Sequence, residues 1–202
     1  MPTAQPKYAA VLFDLLSGLL DSWTPWDSVA GSEAAGRTWR AAYLRLTYRT
    51  GAYRPYETLV AEAAAEVGLP QSLADALAER YGEIKPWPEV AEVLGALKRH
   101  VPLAVVTNCS EVLSARAVAA IGVDFDIVVT AERAGFYKPD PRPYRLALEE
   151  LGLPAERCLF VAGSAFDLLG TAKLALPTFW HNRVGLTAPL DAPKPIAEHT
   201  SL

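Results

Sequence analysis

The 202-residue sequence predicts an α/β protein: a parallel sheet covered by helices on both faces, with a helical unit inserted into it. Short apolar runs of β character recur along the chain, separated by stretches of helical period. The runs are too continuously apolar for a sheet wetted on one side and suit strands buried on both faces. Between the first run and the second lie about ninety residues, 14 to 102, that carry helical patterns only. Ordinary connections in a compact sheet are far shorter, so this stretch reads as an insertion.

The elements follow in order. Ala9–Phe13 is the first strand and ends at Asp14. The insertion offers helices at Thr38–Thr50, with Trp39, Tyr43 and Leu46 on one face, at Tyr56–Val67, closed by Gly68 and Pro70, and at Ser72–Tyr81. Residues 20–85 are therefore expected to form a cap domain, and 1–19 with 86–202 the core. Pro86-Trp87-Pro88 re-enters the core and leads into a helix over Glu89–His100. Leu103–Thr107 is the second strand, followed by a helix that Ser110 can start and Gly122 can close. Ile127–Thr130, Cys158–Ala162 and Thr178–Trp180 supply three more strands. Beyond Trp180 the chain is proline-rich up to Thr200-Ser201-Leu202, where another helix could begin.

Composition narrows the function. Apolar residues make up 51% of the chain, and the formal charge of −4 includes no basic block, so neither nucleic acid nor an anionic membrane is expected as partner. The longest apolar runs are too short to span a bilayer, and the N-terminus lacks the pattern of a signal peptide. The two cysteines, Cys109 and Cys158, have no metal-binding spacing and suit a reducing cytoplasm. Cys109 follows a candidate active-site strand, yet reads more readily as a small buried hydrophobe.

Ligands of open α/β sheets bind beyond the carboxyl ends of the strands. The polar residues there are Asp14, then Thr107 and Asn108, then Lys138, then Ser164 and Asp167. Each alone has a plain structural reading: Asp14 as a turn residue or helix cap, Lys138-Pro139-Asp140 as a surface turn. The ordered set is more informative than any member.

Phe13-Asp14, Thr107-Asn108, Tyr137-Lys138-Pro139-Asp140 and Gly163-Ser164-Ala165-Phe166-Asp167 resemble the four motifs of the haloacid dehalogenase superfamily, in order and across nearly the whole chain. The resemblance implies a Rossmann-like core, a helical cap and Asp14 as a covalent nucleophile. Phosphatases of that superfamily carry a second acid two residues after the nucleophile and an acidic magnesium ligand in the fourth motif; here those positions are Leu16 and Gly163. Phosphoryl transfer depends on such groups. A halide leaves as a stable anion and needs no proton, so attack on a 2-halo acid can dispense with both.

Three further stretches resemble the L-2-haloacid dehalogenase subfamily. These are Trp39-Arg40, the Lys138–Tyr144 segment, and Phe160-Val161 through Pro177–Arg183. The resemblance implies that Lys138 positions Asp14, and that Arg40 takes the halide or the substrate carboxylate. Thr107, Asn108, Tyr144 and the backbone amide at Leu15 would contact the substrate. Asp167, with Ser164, would serve ester hydrolysis. Arg40 also reads as a solvated helix residue. Trp23, Trp26, Phe166 and Trp180 are candidates for an apolar wall or for ordinary core, and His100, His181 and His199 have no assigned role. Gly18, Ala162 and Ser164 depart from that subfamily's Thr, Ser and Asn.

The expected function is a metal-independent 2-haloacid dehalogenase that requires no cofactor. Its partners would be a small carboxylic acid and a halide, and it would act as a possible homodimer in the cytoplasm. Hydrolysis of another 2-substituted acid such as azetidine-2-carboxylate, a Mg2+-dependent phosphatase, and an inactive binding protein are the alternatives.

Overall fold

The computed structural model describes residues 6–202. Its centre is a six-stranded, all-parallel sheet in the order β3-β2-β1-β4-β5-β6. The strands are β1 (Ala10–Phe13), β2 (Leu103–Thr107), β3 (Ile127–Thr130), β4 (Cys158–Ala162), β5 (Thr178–His181) and β6 (Ala197–His199). This is the Rossmann-like α/β fold expected from the sequence.

Alternation along the strands divides the interior in two. Val11, Phe13, Leu103 and Val105 face the side covered by α5 (Val90–Lys98) and α6 (Glu111–Ala119). Ala10, Leu12, Ala104, Val106 and Phe160 face the side covered by α8 (Pro141–Leu151), where Tyr144, Ala147 and Leu148 pack. Both faces are buried, which is why the strands are apolar throughout.

The insertion holds α1 (Trp23–Ala30), α2 (Glu33–Thr50), α3 (Tyr56–Glu66) and α4 (Leu73–Glu79). The chain leaves and rejoins the core through a narrow neck. Here the Asp21 amide donates to the Lys85 carbonyl at 2.8 Å, and the Trp87 amide to the Leu19 carbonyl at 3.0 Å. Trp26 packs on Trp39 and Tyr43, with ring centroids 4.6 and 5.3 Å away, in an apolar cluster that continues into the Val11 and Phe13 side of the sheet. The first two of its helices cross so closely that a Cβ on Gly36 would lie 2.3 Å from Asp27 Oδ1 and 2.5 Å from Asp27 Cα.

Several elements differ from the sequence expectation. Helix α1 was not anticipated, because its two tryptophans and a proline gave no clear helical stripe. The expected helix at Thr38 begins five residues earlier, where the Ser32 hydroxyl accepts from the Ala35 amide and caps it. The helices α7 (Ala131–Ala134), α8 and α9 (Phe166–Thr171) were also not anticipated. The proline-rich tail, where no strand was expected, forms edge strand β6, joined to β5 in register His181↔His199.

Candidate active site

The chain runs from β1 outward to β2 and β3, then returns to the other side of β1 for β4. The reversal opens a crevice beyond the carboxyl end of β1, where open α/β sheets bind ligands. Asp14 is the first residue there and is 7% exposed. Its amide donates to the Val161 carbonyl of β4 at 2.9 Å, so the sheet itself holds its backbone.

The two carboxylate oxygens of Asp14 are treated differently. Oδ2 accepts from the Ser17 amide at 3.1 Å, the Ser17 hydroxyl at 2.8 Å and the Gly18 amide at 3.1 Å. Oδ1 accepts from Lys138 Nζ at 2.8 Å. Burial works to raise the Asp14 carboxyl, but the Lys138 ammonium and the Ser17 donors outweigh it and hold it below its ordinary 3.8. Ser17 was missed in the sequence. Its hydroxyl is the one side-chain hydroxyl among the described residues that reaches Asp14.

Lys138 also reaches Asp167 Oδ1 at 3.0 Å, so one ammonium bridges two carboxylates. Burial disfavours its charge, and the two acids more than offset that, leaving it above the ordinary 10.5. Burial pushes the Asp167 carboxyl upward, with the Asp14 charge adding to it and Lys138 only partly opposing. The loop carrying Lys138 is fixed by Asn108: its Oδ1 accepts from the Lys138 amide at 2.7 Å, and its Nδ2 donates to the Lys138 carbonyl at 2.9 Å. The Asn108 side chain lines the pocket but is engaged with that backbone rather than presented to a ligand.

One expected ligand contact is corrected. Tyr144 is fully buried beneath the site, where its hydroxyl donates to Asp167 Oδ1 at 2.6 Å, and it is not part of the pocket wall. Leu15, expected to act through its backbone amide, packs its side chain into the core, and the neighbouring Leu16 lines the pocket. Of the candidate wall residues, Trp23 and Phe166 line the pocket; Trp26 lies in the interior of the insertion, and Trp180 in the core under the sheet.

Helix α2 brings Arg40, Leu44 and Tyr48 over the crevice. Arg40 is 6% exposed and therefore not a solvated helix residue. Its guanidinium lies 3.7 Å from the Trp23 ring centroid, and Nη1 has no hydrogen-bond partner among the described residues. Burial lowers the Arg40 pKa, because a desolvated guanidinium is harder to keep charged. Thr107 Oγ1 is likewise buried without a partner. Ser164 lines the opposite wall, 3.4 Å from the Tyr48 hydroxyl, and the Tyr48 ring stacks on Phe166 at 4.2 Å. Tyr48 and Leu186, from the loop after β5, were missed in the sequence. Cys109 and Cys158 are both buried and free; Cys109 does not line the pocket.

The residues present do not fit a magnesium ion. Both carboxylates beside the crevice are already taken by Lys138. At Gly163, where the resemblance puts an acidic ligand, even a Cβ would lie 2.2 Å from the Gly18 nitrogen and 2.3 Å from the Ser17 carbonyl carbon. Among the described residues no group of three His, Cys, Asp or Glu side chains could hold a metal. Among the described residues no helix is long and apolar enough to cross a membrane.

Three relatives bear on this geometry. An (S)-2-haloacid dehalogenase of Pseudomonas putida is 28% identical over 192 residues, covering 87% of this chain and 86% of that protein. A phosphoglycolate phosphatase of Agrobacterium fabrum is 29% identical over 189 residues, covering 87% and 81%. A dehalogenase crystallised as an intermediate complex superposes with a TM-score of 0.83 at 27% identity, covering 96% of this chain and 94% of that one. The family model of haloacid dehalogenase-like hydrolases matches residues 8–173. With the four motifs converging on one crevice, the chain belongs to the haloacid dehalogenase-like hydrolases.

Proposed function

We propose that the chain hydrolyses the carbon–halogen bond of short 2-halo acids through an ester on Asp14. The observation that carries this reading is the pairing of an ionised, cradled carboxylate with a buried cation whose Nη1 has no hydrogen-bond partner among the described residues, across one small pocket: Asp14 below and Arg40 above. Carboxylate attack at carbon needs a nucleophile and a place for the departing anion, and both are present. The kinship with (S)-2-haloacid dehalogenases supports the same chemistry.

Oδ2 already accepts three hydrogen bonds, whereas Oδ1 accepts one and keeps a lone pair for attack. Oδ1 forms a bond to C2 as the C2–halogen bond breaks, and the halide leaves with the electron pair toward Arg40. The Thr107 hydroxyl is free to donate to the substrate carboxylate. Leu16, Trp23, Phe166 and Leu186 enclose the carbon chain. Water then adds to Cγ of the ester. The charge that develops on Oδ2 falls on the Ser17 and Gly18 amides and the Ser17 hydroxyl, donors already in place. Cleavage of the Cγ–Oδ1 bond releases the 2-hydroxy acid, with Oδ1 as its hydroxyl oxygen. Of the water's protons, one ends on that hydroxyl and the other is lost as acid.

In this scheme Lys138 orients Asp14; an ion pair at ~4 Å is worth about 4 kcal/mol at an effective dielectric near 20, before desolvation. Asp167 and Ser164 serve the attacking water, while Asn108 and Tyr144 hold Lys138 and Asp167. The insertion, residues 20–85, acts as the cap that carries Arg40. No step requires a metal or cofactor. Free cysteines suit a cytoplasmic setting. Pairing of two copies is supported by the family resemblance alone.

The test is halide release from each enantiomer of 2-chloropropionate, with and without a chelator. Chloride release indifferent to chelator is expected. Turnover of phosphate esters that depends on magnesium, with no chloride released, would contradict the proposal.

A further inference from the structure

The donors that cradle Asp14 Oδ2 are themselves held from behind. Trp87 Nε1 donates to the Ser17 carbonyl at 3.2 Å. That carbonyl belongs to the same peptide group as the Gly18 amide, which donates to Asp14. On the other side of Gly18, His181 Nδ1 lies 2.8 Å from the Gly18 carbonyl. A carbonyl can only accept, so Nδ1 carries the proton. His181 is fully buried at the end of β5, and its Nε2 has no hydrogen-bond partner among the described residues. Glu89 stands 3.8 Å from Nε2, and Arg183 holds the same Glu89 oxygen at 3.1 Å.

We infer that Trp87 and His181 are positioning residues for the nucleophile, setting the Ser17–Gly18 turn against Asp14. They come from segments far apart in the chain, the re-entry from the insertion and the end of β5, and grip consecutive carbonyls of one turn. Hydrogen bonds in series through a peptide group polarise one another, so the Trp87 bond strengthens the Gly18 donor as well as placing it. The turn has no spare room to find this position by packing alone. A Cβ on Gly18 would sit 2.3 Å from the Asp14 carbonyl oxygen, and Gly163, the residue after β4, presses on the turn.

The inference rests on Asp14 as the nucleophile, so the experiment has one readout that needs no substrate. Trp87→Phe, His181→Leu and His181→Asn are made in the full chain; Asn keeps a donor near the place of Nδ1. The Asp14 carboxyl is followed by carbon NMR across pH, together with kcat and KM on 2-chloropropionate and the melting temperature. Trp87→Phe and His181→Leu are expected to move the Asp14 titration upward and to lower kcat about tenfold, with KM changed less than about twofold. His181→Asn should recover most of both. The double variant Trp87→Phe/His181→Leu should lose little beyond the worse single change, because the two grip one turn. An Asp14 titration identical in all the proteins, or wild-type kcat in both single variants, would overturn the inference. A titration that shifts as expected in a protein releasing no chloride would sustain it and count against the haloacid reading instead.

Discussion

The Lys138 ammonium meets Asp14 Oδ1 at 2.8 Å across 124 residues of sequence, both side chains almost wholly buried. A buried pair is weak evidence of stability, because desolvation offsets its attraction. Its use here is geometric: it leaves the carboxylate charged, fixed and open on one side.

The pH dependence follows from the two carboxylates shifting in opposite directions. Asp14 lies below 3.8 in the folded protein, so its contribution to stability is complete above that value and is lost as pH falls through the folded one. Lys138 lies above 10.5, so its contribution is complete below 10.5 and is lost as pH rises through its folded value. Asp167 is raised above 3.8. Ester formation, reported by kcat/KM, should therefore keep its acid limb below pH 3.8, whereas kcat should fall at a higher pH if hydrolysis limits turnover. Initial rates between pH 3 and 7, a range set by ordinary carboxylate pKa values near ~4, would check this.

Replacing Arg40 separates binding from stability. Arg40→Met removes a buried cation that lacks a partner on one nitrogen while keeping much of its volume. A charge-assisted hydrogen bond is worth about 1.5–3 kcal/mol, so kcat/KM should fall roughly 10- to 150-fold. The melting temperature should stay level or rise, because a desolvated charge is gone. Inhibition by added chloride should weaken in parallel. A large loss of stability with normal kinetics would make Arg40 a structural residue.

Tyr144→Phe checks the reassignment of that side chain. The variant loses the 2.6 Å bond to Asp167 and no wall of the pocket. KM should change less than about twofold and kcat fall about tenfold, with the ester intermediate accumulating in rapid-quench samples. A rise in KM alone would return Tyr144 to the substrate.

Gly163→Ala probes the steric bar to the phosphatase arrangement. Its Cβ would lie 2.2 Å from the Gly18 nitrogen, so the Ser17–Gly18 turn must move. Overpacking of this kind costs about 1–3 kcal/mol, a melting temperature lower by roughly 2–4 °C for each kcal/mol in a chain of this size. Activity should drop more than stability implies, since the displaced turn cradles Asp14.

The sheet was legible because its strands are short apolar runs, and Asp14 because it ends the first of them. Lys138 and Asp167 stood out as members of an ordered set. Ser17 did not, since a serine after a strand reads as a turn residue until the turn is seen to fold its hydroxyl back on Asp14. Tyr144 was placed on the wrong side: sequence marks it as near Lys138, but the face of α8 that packs on the sheet decides where its hydroxyl points. Tyr48 and Leu186 reach the pocket only through packing across the fold. The sixth strand was invisible for another reason. Ala197-Glu198-His199 has no apolar pattern, and main-chain bonds such as that from the Asn182 amide to the His199 carbonyl hold it at the edge.

The most direct test of Asp14 as the nucleophile is one turnover of 2-chloropropionate in heavy-oxygen water, with mass spectrometry of the Asp14 peptide and of the product. Attack by Oδ1 followed by water at Cγ puts the label into the Asp14 carboxylate and leaves the first 2-hydroxy acid unlabelled; Asp14→Asn should release no chloride. Label found in the first-turnover product with none in the protein would mean that water attacks the substrate directly, and Asp14 would not be the nucleophile.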